Sequence, residues 1–313
     1  MLLSDLGRDG VRDYEIIDPD GNRISRTQLR QARTAERGPT QLKAEVSDLS
    51  PSETYLCETP PLAAHAGTQP DLLLRWNCIP AEAAAVDVVV FLHGFSQQRG
   101  EMQLNEKVER SGMILTGRAR PTLALLPRGN WIRHYYYDFP ALLDGGLDLL
   151  IAYGLHRFGK MRGAATALDR FILGAHSGGG MPAIDIIAKS QVQPDELYIF
   201  DGLYGRDPAE GNPLEGIDIV ERWLAQRFAG EPARPGALRV PFIERETGPF
   251  SRAVDRLVTA RLDTADPALR AGLASRYRVE ASGVQHSQIA RIALPELLAD
   301  ASVDIPWYLP SRF

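Results

Sequence analysis

Cysteine is scarce in this chain of 313 residues: there are two, Cys57 and Cys78. They form no C-x-x-C pair, which excludes the common zinc and dithiol spacings. Two unpaired thiols are expected, with a single Cys57–Cys78 disulfide as the alternative. Long apolar runs are also missing. No stretch approaches the ~20 residues needed to cross a bilayer, so no membrane span is expected. The N-terminal MLLSDLGRDG has no basic start followed by an apolar core, so no secretory signal is expected. A cytoplasmic location is the default expectation, and signal-independent export the alternative. Positive charge is not in excess: 35 Lys and Arg stand against 40 Asp and Glu, a formal net charge of −5. Without a basic face, no nucleic-acid partner is expected. Neither H-E-x-x-H nor G-x-x-x-x-G-K-[ST] occurs, so neither a metal site nor a phosphate loop is expected, and no cofactor.

What is present is an ordinary globular composition, 44% hydrophobic and 24% charged. Residues 1–60 read as a polar extension. IIDPDGNRIS has the pattern of a short hairpin and RTQLRQARTAERG that of an exposed helix closed by Gly38-Pro39. The Pro-, Ala- and Thr-rich stretch 51–70 reads as a linker or wrapping loop. Residues 1–60 are a candidate docking segment for a protein partner.

From about residue 71 the pattern turns regular. Apolar strands are expected at 71–79, 86–94, 121–129, 169–177, 196–205, 237–244 and 275–283. Helix-like spacing is expected at 101–111, 141–158, 179–190, 217–229 and 286–299. Strands apolar on both faces and alternating with helices predict an α/β domain over 61–313, a mostly parallel central sheet with helices on both faces. Ligands in such sheets bind at the carboxyl ends of the strands. Those ends read His93-Gly94-Phe95, Arg128-Gly129-Asn130-Trp131, His176-Ser177-Gly178, Asp201-Gly202, Glu244 with Glu246, and finally GVQHS with His286. A serine, an acid and a histidine, in that chain order, share one edge.

Through FLHGF, AHSGG and GVQHS, residues 71–300 resemble the α/β-hydrolase superfamily. In that family the nucleophile sits in a G-x-S-x-G turn between a strand and a helix. Here Ala175 occupies the first glycine position, Gly174 falls one place early, and Gly179 matches the second. The resemblance implies Ser177 as nucleophile, held in a tight turn whose neighbours lack bulk because strand and helix nearly touch. It implies an oxyanion hole from the amides of Gly178 and Phe95. It also implies His286 as the base that activates the serine. His176 and His93 are expected to brace the site, and His65, His134 and His156 to lie outside it. Asp201 is the expected acid that orients His286, with Glu244 or Glu246, one strand later, as alternatives.

PRGNWIRHYYYDFPALLDGG (127–146) packs aromatics and arginines into one loop. Arg128, Asn130, Trp131 and Tyr135 are expected to bind substrate there, by stacking on sugars or planar groups and, through Arg128 or Arg133, by holding a carboxylate. The alternative is a loop packed on its own core. Segment 245–275 is expected to be a lid or a surface insertion. The function expected is a cofactor-independent serine hydrolase acting on an ester, carboxylesterase-like, through an acyl-enzyme. The substrate would be a small molecule or a saccharide- or peptide-bearing ester. The alternatives are an amidase or peptidase with the same residues, and a hydrolase-like binding module without activity.

Overall fold

The computed structural model describes residues 16–17, 23–24, 47–95, 103–131, 137–205 and 216–305; for 16–17, 23–24, 131, 137 and 138 it describes the backbone alone. The chain divides into two units, Met1–Glu45 and Val46–Phe313. In the first, β1 (Ile16–Ile17) pairs antiparallel with β2 (Arg23–Ile24). This is the hairpin expected from IIDPDGNRIS. The helix expected over 26–38 lies outside the described residues.

The second unit is built on an eight-stranded sheet. Its strands are β3 (Ser52–Leu56), β4 (Leu72–Trp76), β5 (Ala85–Leu92), β6 (Thr122–Pro127), β9 (Ala167–His176), β10 (Glu196–Phe200), β11 (Ala237–Phe242) and β12 (Tyr277–Ala281). Their order is β12-β11-β10-β9-β5-β6-β4-β3. The six strands from β12 to β6 run parallel, and β4 and β3 are antiparallel to their neighbours. A short ribbon, β7 (Asn130–Trp131) with β8 (Tyr137–Asp138), stands apart from the sheet.

Strand β5 shows how the sequence makes two cores. Side chains alternate along a strand, so Val86, Val88, Val90 and Leu92 enter one apolar cluster while Val89 and Phe91 enter the other. The first cluster is closed by α2 (Gly146–Arg162), α3 (Gly180–Lys189), α4 (Ile217–Gly230), α5 (Gly248–Asp263) and α6 (Pro267–Arg276). The second is closed by α1 (Leu104–Ser111) and α7 (His286–Ala299). The expected parallel sheet covered on both faces is the architecture found. Among the described residues no helix is long and apolar enough to cross a membrane.

Three expectations need correction. The stretch 51–70 is not wholly a loop: Ser52–Leu56 is the edge strand of the sheet, and the sheet-bearing unit begins at Val46, earlier than residue 61. An edge strand buries little, so its polar composition hides it. Segment 245–275 is neither lid nor surface insertion. Phe250, Val254 and Val258 recur at helical spacing and enter the first core cluster, with Leu273 of α6 beside them. The charged residues between them mask the stripe. Cys57 and Cys78 are both exposed and unpaired, so the disulfide alternative falls.

Phe91 is fully buried, lies against Phe200 at a ring separation of 6.3 Å, and covers Gly174. Truncating such a ring leaves a cavity that the sheet cannot collapse. Phe91→Ala is expected to lower the unfolding free energy by about 3–5 kcal/mol, read from the denaturant midpoint at unchanged slope.

Candidate active site

Strand register brings the strand-end residues together. Phe200 lies opposite His176, and Ala175 opposite Leu92. The residues that follow these pairs, Asp201, Ser177 and His93, therefore emerge at the same edge. Ser177 and Asp201 both adopt positive φ, 52° and 46°. Neither is glycine, and such angles cost of order 1–3 kcal/mol each and persist only where their surroundings impose them. Here the surroundings do. Ser177 opens a single 3-10 turn, Ser177–Gly179, that leads directly from β9 into α3.

Crowding explains the glycines. A Cβ on Gly180 would sit 2.1 Å from the carbonyl oxygen of Gly202, and one on Gly179 would sit 2.5 Å from that of Leu92. A Cβ on Gly94 would come 2.7 Å from Cβ of Ser177. Ala175 is fully buried yet fits, while a Cβ on Gly174 would strike the Phe91 ring at 2.7 Å. The glycine that seems displaced by one position is thus required where it stands.

His286, the first residue of α7, joins the edge from the other side. Its Nδ1 lies 2.6 Å from Oδ2 of Asp201 and its Nε2 lies 2.8 Å from Oγ of Ser177. An ionised carboxylate only accepts, so Nδ1 carries the hydrogen and Nε2 accepts from the serine hydroxyl. Asp201 is held by two further donors, the amide of Ile243 at 2.9 Å and the Thr247 hydroxyl. Burial alone would raise this carboxyl. The bonds from His286, Ile243 and Thr247 outweigh it and keep Asp201 below the usual carboxylate range. Glu244 instead pairs with Arg252, and Glu246 is exposed at the cavity wall. Neither bonds His286.

Sheet, serine turn and strand-end groups have one architecture in common. The arrangement is the one that the resemblance to the α/β-hydrolase fold implies. As in that fold, the segment after β5 lies beside the serine turn: a Cβ on Gly178 would be 3.7 Å from the Phe95 nitrogen.

The two histidines at strand ends brace this edge of the sheet. His176 bonds the carbonyl oxygen of His286 through Nε2 at 2.9 Å, and the two rings lie 4.9 Å apart. Desolvation and the adjacent His286 push its pKa down to about 4, so it is neutral at pH 7. His93 accepts the Gly129 amide on Nε2 at 2.9 Å, which leaves the hydrogen on Nδ1, 3.0 Å from the carbonyl oxygen of Gly94. Burial drives its pKa well below the ordinary value. His65 is likewise buried and structural, bonded to Arg128 and Ala141.

The described part of the loop expected to bind substrate is engaged with segment 65–68. Arg128 is 4% exposed, and its guanidinium donates to the carbonyls of His65 and Thr68. Asn130 accepts the Ala66 amide through Oδ1 at 2.8 Å. Both pin the segment 65–68 rather than line the cavity. Trp131 pairs through its backbone with Tyr137; its side chain, Arg133, His134 and Tyr135 lie outside the described residues. The arginine reads as a carboxylate clamp in sequence because nothing local shows that backbone carbonyls will claim it.

A cavity of about 790 Å³ opens at Ser177, with Phe95, Lys107, Tyr204, Glu246 and His286 among its walls. Three of its functional groups escaped the sequence reading. The Tyr204 hydroxyl lies 3.3 Å from Oγ of Ser177. Since the serine hydrogen goes to His286, Tyr204 is the donor in that contact. Thr247 reaches Asp201 from the start of α5, and Lys107 projects from α1. The only signals were the tyrosine in FDGLYG and a lysine on the inner face of a short helix.

No family model and no curated protein matches the chain. Among solved structures, a ferulic acid esterase is similar at 13% identity, covering 83% of this chain and 98% of its own, with a TM-score of 0.45. Siderophore hydrolase EstA from Aspergillus nidulans is similar at 15% identity, covering 86% and 98%, TM-score 0.40. A lipase/esterase from Lactobacillus plantarum is similar at 13% identity, covering 82% and 100%, TM-score 0.41. Likeness at this level says nothing of substrate.

Thr247→Val removes a bond that favours the ionised form of Asp201. Because the folded pKa lies below the unfolded one, that bond stabilises above the unfolded value of about 3.9 and is lost as pH falls through the folded value. The variant is expected to lose about 1.5–3 kcal/mol near neutrality, with the difference from wild type shrinking in acid. Urea titrations at neutral and acid pH measure it.

Proposed function

We propose that the chain is a serine hydrolase that cleaves a carboxylic ester through an acyl-enzyme. The observation that carries this reading is the unbroken relay Asp201–His286–Ser177, two hydrogen bonds of 2.6 and 2.8 Å ending on a serine in a strained turn at a cavity wall. A serine hydroxyl is a weak nucleophile alone and needs a base in contact with it.

Ser177 Oγ attacks the substrate carbonyl carbon while its proton passes to Nε2 of His286. Asp201 holds the other ring nitrogen and stabilises the imidazolium that forms. The carbonyl oxygen becomes an oxyanion and is received by the amides of Gly178 and Phe95, which lie on adjoining segments. His286 then delivers the proton to the departing alkoxide, so an alcohol leaves and the acyl group stays on Ser177. Water enters, gives a proton to His286, and attacks the acyl carbon. The collapse returns the proton to Oγ and releases the acid. His176 is neutral at pH 7, so it sets no second cation beside the imidazolium.

An ester is the substrate proposed because an alkoxide leaves more readily than an amine. The cavity has room for a small-molecule ester of ordinary size. Of the docking segment expected at 1–60, the part outside the sheet-bearing unit, Met1–Glu45, remains a proposed docking segment for a protein partner.

A fluorophosphonate probe is expected to label the wild-type protein at Ser177 by peptide mass spectrometry, and not Ser177→Ala. Turnover of p-nitrophenyl esters is expected to exceed that of aminoacyl-nitroanilides. Asp201→Asn should lower kcat by about 10⁴ through the wrong tautomer of His286, while Glu244→Gln leaves it near wild type. Amide turnover above ester turnover would make the chain an amidase. A folded protein that neither labels nor turns over any of these substrates would make it a binding module.

A further inference from the structure

Lys107 is an odd residue to find in the wall of the cavity. It is 4% exposed, on the apolar side of α1 between Leu104 and Val108. An ammonium in such a place costs free energy unless something holds it. Its Nζ donates to the carbonyl oxygen of Gly94 at 2.7 Å. The same oxygen accepts from Nδ1 of His93 at 3.0 Å. His93 has no freedom in this, because the Gly129 amide occupies its other nitrogen.

That oxygen belongs to the peptide unit Gly94–Phe95, whose other end is the Phe95 N–H. A peptide unit is planar and its C=O and N–H point opposite ways. Tying down the oxygen therefore aims the hydrogen. A cation on the oxygen also draws electron density along the amide and strengthens the N–H as a donor, as in any polarised hydrogen-bond chain. We propose that Lys107 is a positioning residue, whose ammonium grips and polarises the Gly94–Phe95 peptide so that the Phe95 N–H receives the oxyanion. The role assigned to Phe95 rests on the hydrolase reading above; the coupling between Lys107 and the peptide does not.

The ammonium also has a titration to read. Burial and the neighbouring Arg110 lower the Lys107 pKa to about 7, against the opposing pull of Glu106. His93 and His176 face it from the strand ends, and Asp201, Arg245, Glu246 and His286 stand around the same cavity. His93 and His176 are held neutral, so neither replaces the charge that Lys107 loses. Above neutrality the amine still donates to Gly94, but as a neutral group it no longer polarises the peptide.

The experiment has two arms. In the first, ester hydrolysis by wild type, Lys107→Met and Lys107→Arg is followed from acid to alkaline pH. Wild-type kcat is expected to fall as pH rises through about 7. Lys107→Met should lose roughly 10-fold or more in kcat at pH 6, less than the ~100- to 1,000-fold cost of deleting an oxyanion donor outright. Its KM should be little changed and its alkaline fall absent. Lys107→Arg, which keeps its charge, should retain kcat into alkaline pH. In the second arm, the ¹⁵N shift of Phe95 is followed in Ser177→Ala labelled at phenylalanine. It should move with the Lys107 titration and stay still in the Lys107→Arg background. A Phe95 shift that ignores the titration overturns the proposal. So does a folded Lys107→Met with the kcat and pH profile of wild type. If Lys107→Met fails to fold, the Lys107→Arg profile and the Phe95 shift decide. A wild-type protein that hydrolyses nothing defeats the hydrolase reading, and the Phe95 shift still reports on Lys107 by itself.

Discussion

Backbone crowding at one end of the sheet is the constraint on which the site depends. Three segments, the loop after β5, the turn between β9 and α3, and the turn after β10, meet at distances that a single methyl group would abolish. Side-chain-free positions at 94, 179, 180 and 202 allow the approach, and parallel register delivers the segments in phase. Two residues in the crowd, Ser177 and Asp201, carry the conformational cost in their positive φ angles. That cost is borne by the hydrophobic clusters on both faces of the sheet, which fix the strands from which the turns emerge.

Charge at the edge follows the same economy of placement. Asp201 keeps its negative charge in a buried setting through three donors, and the imidazole of His286 faces it directly. The other two histidines are kept neutral by burial and by the bonds that use their nitrogens, so each serves as a spacer with a fixed donor. Among the described residues Lys107 is a buried cation in the cavity wall, and it donates to a backbone carbonyl. Each of these polar groups therefore has a defined direction, set by the partner that holds it.

Much of this was legible in the sequence, and the parts that were not share a cause. The runs VDVVVFLHG and DRFILGAHSGGG announce buried strands ending in small and polar residues, because a parallel strand must be apolar throughout and a tight turn must not be bulky. His286 was legible by its place after the last strand. Arg128, Thr247, Tyr204 and Lys107 were not, because their meaning depends on partners far away in the chain: two carbonyls for Arg128, a carboxylate for Thr247, a hydroxyl for Tyr204, and a peptide oxygen for Lys107. The edge strand Ser52–Leu56 and the core stripe Phe250–Val254–Val258 were hidden by polar neighbours, since burial on one side only leaves half of each element free to be charged.

A crystal structure of the protein after reaction with an organophosphonate tests the Asp201–His286–Ser177 relay most directly. One adduct is expected, with phosphorus bonded to Oγ of Ser177, and the phosphonyl oxygen within hydrogen-bond reach of the Phe95 and Gly178 nitrogens. Nε2 of His286 should remain beside Oγ. An adduct on any other residue, or a phosphonyl oxygen turned away from both amides, would contradict it.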